Sequence, residues 1–319
     1  MTPQLQRIQR KLGKRVRVAR ELAAGLRWPP FAPDLPLDEL KARYQLPTSR
    51  YVRIAGVDAH VVEEGQGPPL VLLHGLMASL HTWDGWAEAL ADRFRVIRVD
   101  LPGFGLTGPD PLRRYHGTDL VAFLEALRSA LDVGENMYLA GSSLGGFLAW
   151  NYAVTYPERV RRMVLLDPLA YTLEPLPFIR ALGSPAGRWL GARVDPRRSV
   201  ELGVYDVFGD ASNVSPQAIR RYQDLAMRPG NRAALSDYCA MLMELLHHNP
   251  YERQVAKLSV PTLLMWGSRD RWIPVSQVER WRADVADLHV QLYEGVGHVP
   301  MEESPAQTAA DASAFLLSP

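Results

Sequence analysis

The chain has 319 residues, 47% of them hydrophobic and 22% charged, a balance that supports a sizeable buried core. Its net charge of +1 gives no reason to expect nucleic acid as a partner, and its single cysteine, Cys239, excludes an internal disulfide and most cysteine metal sites. No run approaches the roughly eighteen apolar residues of a membrane span, and the N-terminus lacks the apolar stretch of a secretory signal, so a cytoplasmic, reducing setting is expected.

Charge is concentrated at the start of the chain. Residues 1–27 carry eight Lys or Arg against one acid, a charge of +7 that leaves −6 for the rest. Leu5, Ile8, Leu12, Val16, Ala19 and Ala23 recur at steps of three or four, so this segment reads as a basic amphipathic helix. The Pro-rich stretch "WPPFAPDLPLDEL" follows it, and residues 1–48 together read as helix and linker. Such a helix packs on its own domain, extends into solvent, or makes peripheral contact with an anionic inner-membrane surface. The absence of aromatic residues among its charges argues against nucleic acid.

From Ser49 the chain alternates. Apolar, β-branched runs occur at "YVRIAG", "AHVVEEG", "LVLLHG", "FRVIRVD", "NMYLAGS", "VRRMVLLDP", "TLLMWGSRD" and "HVQLYEG". Helical periodicity fills residues 79–91, 115–131, 144–155, 275–285 and 304–316. Two strands without a helix, then strand–helix repeats, predict an α/β fold: a mostly parallel, twisted sheet flanked by helices. Between Pro168 and Lys257 there is no strand run but there are helical patterns, "SPQAIRRYQDLAMR" and "NRAALSDYCAMLMELLHH". The division expected is a core of residues 49–168 and 256–319 with a helical cap, 169–255, inserted after the sixth strand.

Chemistry concentrates where strand "NMYLAG" turns into helix "LGGFLAWNYA". The turn Gly141-Ser142-Ser143-Leu144-Gly145 fits G-x-S-x-G, in which the middle serine is held in a strained conformation above the sheet edge. Ser143 is therefore the candidate nucleophile, at a helix N-terminus that favours developing negative charge. Ser142 lies one place off the pattern. A serine needs a base, and His298 lies in "LYEGVGHVPMEESP", between the last strand and the last helix. Asp270, just past "LLMWG", is the candidate acid, and the order Ser, Asp, His is the one this arrangement takes. Asp167, at the end of "MVLLD", is the alternative acid. The backbone N–H of Leu144 and that of Leu76, with Met77 as its alternative, are candidate donors to an oxyanion. His74 reads as structural, its ring satisfied by loop backbone.

With these motifs on the page, the chain resembles an α/β-hydrolase fold serine hydrolase, esterase- or lipase-like with a helical cap. "LLHGLMASLHTWDGW", "RVDLPGFGLTG", "GSSLGG", "LLMWGSRDRWIP" and "GVGHVPMEESP" each fall in that family's expected place, over residues 50–317. The resemblance implies hydrolysis without cofactor or metal. The family also holds C–C bond hydrolases of ring-cleavage products, epoxide hydrolases, haloalkane dehalogenases and haloperoxidases. Serine at the nucleophile position argues against the epoxide and haloalkane branches, and the missing Gly-Pro-Gly segment lowers the C–C reading. Relatives with this pattern often begin with a membrane helix; here the start is basic and too polar to span, so only surface association carries over.

The expected function is therefore cleavage of carboxylic esters with apolar acyl or alcohol groups by Ser143, His298 and Asp270 through an acyl-enzyme. A C–C bond hydrolase and a non-catalytic ligand receptor are the alternatives. "GFGLTG" fits a dinucleotide-binding pattern, but Pro109 and Pro111 stand where the phosphate-binding helix would begin, so these glycines are expected to shape a loop. His247 and His248 are adjacent and cannot share one helical face as metal ligands.

Overall fold

In the computed structural model, residues 31–318 are described, and the basic segment 1–27 lies outside them. Eight strands form one sheet in the order β1-β2-β4-β3-β5-β6-β7-β8. They are β1 (Ser49–Ile54), β2 (Val57–Glu64), β3 (Pro69–Leu73), β4 (Arg95–Val99), β5 (Met137–Ser142), β6 (Val160–Leu166), β7 (Thr262–Gly267) and β8 (Leu288–Tyr293). Pairings β1–β2 and β2–β4 are antiparallel; the other five are parallel. All eight strand expectations hold.

Burial follows position in the sheet. The central strands β5 and β7 are buried along their whole length, as parallel strands covered on both faces must be, while edge strands β1 and β8 are largely part-exposed. Alternation divides two cores: Val71, Leu73, Met137 and Leu139 face one side, Leu70, Leu72, Tyr138 and Ala140 the other.

Among the described residues the first helix is α1 (Leu37–Tyr44), followed by α2 (Asp84–Leu90), α3 (Gly117–Ala130) and α4 (Leu144–Thr155). Helices α5 (Pro177–Gly183), α6 (Pro185–Gly191), α7 (Arg197–Val207), α8 (Pro216–Ala226) and α9 (Asn231–His247) lie between β6 and β7. The chain closes with α10 (Val278–Asp284), α11 (Pro300–Glu303) and α12 (Pro305–Leu316). Helices α3, α4 and α10 pack on one face, α2 and α12 on the other, where Trp86 Nε1 donates to Thr308 Oγ1 at 2.8 Å. Among the described residues, no helix is long and apolar enough to cross a membrane.

One expectation changes. The linker contains α1, with Asp38 and Glu39 in its first turn and Lys41 and Arg43 in its last, as the helix dipole favours. Arg43 and Tyr44 both donate to Asp224 Oδ2 at 2.7 Å, so α1 is fastened to α8. Ahead of it, Leu35 N–H donates to Met227 O at 2.8 Å, and Arg232 Nη2 donates to Ala32 O at 2.9 Å and Asp34 Oδ1 at 2.7 Å. Residues 31–44 are thus a strap along the inserted helices. Helices α5, α6 and α7 had not been expected individually.

Candidate active site

The strand ends bring the chemistry together. Parallel strands present their carboxyl ends at one edge, and the loops after β3, β5, β6, β7 and β8 carry Leu76, Ser143, Asp167, Asp270 and His298. The turn after β5 explains its glycines. Ser143 sits at φ 54°, ψ −114°, a strained conformation that only a tightly packed turn maintains. A Cβ on Gly141 would lie 2.3 Å from Gly145 O, and one on Gly145 would lie 2.2 Å from Leu73 O. Strand and helix approach closely only because both positions lack a side chain.

Ser143 and His298 line the same two chambers beneath the inserted helices. His298 Nδ1 is 2.7 Å from Asp270 Oδ2. Asp270 Oδ1 accepts the N–H groups of Trp272 (2.7 Å) and Ile273 (3.0 Å), which fixes the carboxylate. His298 is 3% exposed and its buried Nε2 has no hydrogen-bond partner, so one ring nitrogen is committed and the other is unpaired. With Nδ1–H donating to Asp270, Nε2 is the basic nitrogen.

Asp167, the alternative acid, is fully buried at φ 45°, and its Oδ1 accepts the Gly267 N–H at 3.0 Å. One oxygen of Asp167, one of Asp270 and one nitrogen of His298 lie within 4.8 Å of one another. Burial first, and then the charge of Asp270, push the Asp167 carboxyl well above the ordinary carboxylate range. Its surroundings thus favour the protonated form beside the His298–Asp270 pair.

Gly75, Leu76 and Met77 line the serine's chamber with it, and a Cβ on Gly75 would come within 3.1 Å of Ser143 Cβ. Neither Leu76 N–H nor Leu144 N–H has an acceptor among the described residues. His74 behaves as a structural residue: Nδ1 is 2.8 Å from Gly75 O and Nε2 accepts Leu101 N–H at 3.0 Å, while burial lowers its pKa. Met77 has φ 62°, so the turn is sharp at that residue.

The "GFGLTG" glycines shape a loop around Asp100. A Cβ on Gly105 would fall 2.1 Å from the Asp100 carboxyl carbon. Asp100 accepts from Leu80 N–H (2.7 Å) and Leu106 N–H (2.8 Å), and its Oδ2 is 2.7 Å from His60 Nδ1. Burial works to raise this carboxyl, but His60 and the Leu80 N–H outweigh it and hold it at about 2. His247 Nδ1 is 2.7 Å from Met243 O at the end of α9, and Cys239 is buried and free.

Residues 68–305 match the alpha/beta hydrolase fold. The chain belongs to that family. As a family member it is 30% identical over 248 residues to the pimeloyl-[acyl-carrier protein] methyl ester esterase of Aeromonas salmonicida, a match covering 76% of this chain and 93% of the esterase. It is 27% identical over 286 residues to the cis-3-alkyl-4-alkyloxetan-2-one decarboxylase of Shewanella oneidensis, covering 82% and 86%. Among solved structures, a bacterial membrane phospholipase A superposes with a TM-score of 0.71 at 26% identity, covering 97% of this chain and 98% of the other.

Two features of this alpha/beta hydrolase site had not been read from sequence. Trp272 lines both chambers and stacks its ring, tilted, 5.5 Å from the His298 ring. Its position two residues after the candidate acid is the signal that could have singled it out. Glu303 accepts the N–H groups of Gly209 (2.9 Å), Asp210 (2.9 Å) and Gly297 (2.8 Å), joining the end of α7 to the histidine loop. His298 N–H itself donates to Val207 O at 2.6 Å.

Proposed function

We propose that this hydrolase cleaves carboxylic esters with apolar acyl or alcohol groups through an acyl-enzyme on Ser143. The observation that carries the reading is the His298 imidazole, held through Nδ1 by Asp270, unpaired at Nε2 and lining a chamber it shares with Ser143. Nε2 takes the proton as Ser143 Oγ attacks the ester carbonyl, and Asp270 stabilises the imidazolium. The N–H groups of Leu76 and Leu144 receive the oxyanion. His298 then gives its proton to the departing alkoxide, and water repeats the sequence to release the acid. The second chamber is walled by Leu169, Leu173, Leu176, Ile179, Leu242 and Leu246, which suits an apolar chain. Two of the relatives are named for cleaving carboxylic esters, which supports the same reading.

The basic segment 1–27 adds peripheral contact with an anionic membrane surface, on the strength of its charge and apolar stripe.

The deciding experiment compares Ser143→Ala with Ser142→Ala on p-nitrophenyl esters and with a fluorophosphonate probe. Ser143→Ala is expected to keep the fold and lose several orders of magnitude in turnover together with labelling, while Ser142→Ala keeps both. A lethal Ser142 change would move the nucleophile. Turnover of a vinylogous ring-cleavage diketone in preference to every ester would replace ester cleavage by C–C cleavage.

A further inference from the structure

Three of the large apolar side chains exposed on this protein gather in one place. Phe31 is 45% exposed, Trp189 57% and Leu190 43%. Trp189 and Leu190 end α6, and Phe31 forms a bridge to Val194 just beyond it, with Ala32 N–H donating to Arg193 O at 3.2 Å. Four exposed arginines, Arg188, Arg193, Arg197 and Arg198, lie in the same stretch of chain. Arg188 pairs with Asp237, Arg197 with Asp195 and Arg198 with Glu201, while the Arg193 guanidinium lies 4.6 Å over the Trp189 ring. The patch therefore has little net field of its own but has the make-up of an interfacial surface: indole, aliphatic chain and long cationic stems.

What lies behind and before this patch decides its occupant. Behind it, Gly191, Val194 and Pro196 line a cavity of about 530 Å³, which also reaches Met77 and Trp272, both lining the Ser143 chamber. A largely apolar cavity thus extends from Gly191, Val194 and Pro196, next to the patch in the chain, to Met77 and Trp272 at the strand ends. Before it, the chain that arrives at Phe31 is the segment with eight basic residues against one acid in its first 27. In the sequence that segment ends four residues before Phe31, so whatever its charge attracts is held within a short stretch of chain from Trp189 and Leu190.

We propose that Phe31, Trp189 and Leu190 form the face on which the folded protein docks to an anionic lipid bilayer. The charged arm supplies long-range attraction and the patch supplies apolar contact, two signals where one alone gives marginal binding. The inference rests on the reading of segment 1–27 as lipid-facing, and its test separates the two.

Full-length protein is sedimented with vesicles of phosphatidylglycerol and phosphatidylcholine, and with phosphatidylcholine alone. Beside it run Trp189→Glu/Leu190→Glu and a full chain with Arg7, Arg10, Lys14 and Arg17 changed to Gln. Neither Trp189 nor Leu190 lines the cavity, so the Glu pair keeps the circular dichroism and short-ester turnover of the parent. Its partitioning onto anionic vesicles is expected to fall roughly tenfold. A milder pair, Trp189→Ser/Leu190→Ser, is expected to fall between parent and Glu pair. Undiminished binding by the Glu pair, or no binding by the parent, overturns the proposal. So does a parent dimer that the Glu pair converts to monomer, because a second copy would then cover the patch. If the Gln variant binds as the parent does while the Glu pair fails, the reading of the arm is lost and the docking face stands.

Discussion

Two aspartates end adjacent strands, and the hydrogen-bond donors around each separate their roles. Asp270 receives two backbone N–H groups and the His298 ring; Asp167 receives one N–H and faces another carboxylate. The residue types at these strand ends are readable in the sequence, as are Ser143 and His298, because each motif has a fixed place in the chain. The sequence ranks Asp270 ahead of Asp167 by its place after β7, but the two amides that "SRDRWIP" turns back on Asp270 are visible only in the fold. Asp270→Asn is expected to lower ester turnover by roughly 10⁴ by imposing the wrong tautomer on His298. Asp167→Asn imitates the neutral acid and is expected to leave turnover nearly unchanged. It also has a pH signature. A carboxyl raised in the folded state keeps a proton that the unfolded chain releases above about 4, so this group favours folding at low pH and opposes it increasingly as pH rises toward its folded pKa. Asp167→Asn removes that opposition, so urea midpoints of variant and parent should diverge in the variant's favour between pH 5 and pH 8. A gap that stays constant over that range would mean that Asp167 is ionised in the fold.

At the scale of elements, periodicity reports what is repeated and misses what is short. The eight strands show period two or near-continuous apolar runs and the core helices show helical periodicity, so both are legible without a structure. Helices α5 and α6 have seven residues each and begin with proline, too short for an apolar stripe to repeat. Helix α1 is hidden by the prolines before it, although its ordering of acids and bases is a helix signal. The joint between α7 and the histidine loop is invisible for a different reason. Glu303 reads as an ordinary helix-start acid in "PMEE", but two of the three backbone N–H groups it accepts belong to Gly209 and Asp210, more than ninety residues earlier in the chain. Glu303→Ala leaves three N–H groups without that partner, a loss of roughly 2–4 kcal/mol if about half of the charge-assisted bonding is recovered by water. The expected result is a lower unfolding midpoint together with a reduced kcat at unchanged KM, because the same joint carries His298 N–H to Val207 O. Lost stability with kcat intact would make Glu303 a fastening for the inserted helices that does not position the histidine.

At the scale of the whole molecule, core and inserted helices together wall the chambers that the proposed ester would occupy. The core carries Ser143, Asp270 and His298 at the strand ends; the insertion supplies Leu176, Ile179, Leu242 and Leu246 in one chamber and Val200 and Val204 in the other. Trp272 lines both chambers and also the cavity of about 530 Å³, a size within the range of small-molecule sites. Each methylene moved from water into such a space contributes about 0.8 kcal/mol at full burial, close to fourfold in kcat/KM. Along a series of p-nitrophenyl esters of increasing acyl length, kcat/KM should therefore climb by roughly two- to fourfold per methylene, since burial is incomplete at first. It should level off once the chamber is filled. Substituting Leu242 or Ile179 by Phe shortens the second chamber and is expected to bring the plateau to shorter acyl chains, leaving the acetate ester nearly unaffected. A shift of the plateau with Val204→Phe, and none with Leu242→Phe, would place the acyl chain in the chamber beside α7 and the alcohol in the one beside α9. A profile flat from acetate upward would mean that neither chamber receives the acyl group, and the ester would then have to be held by its alcohol part alone.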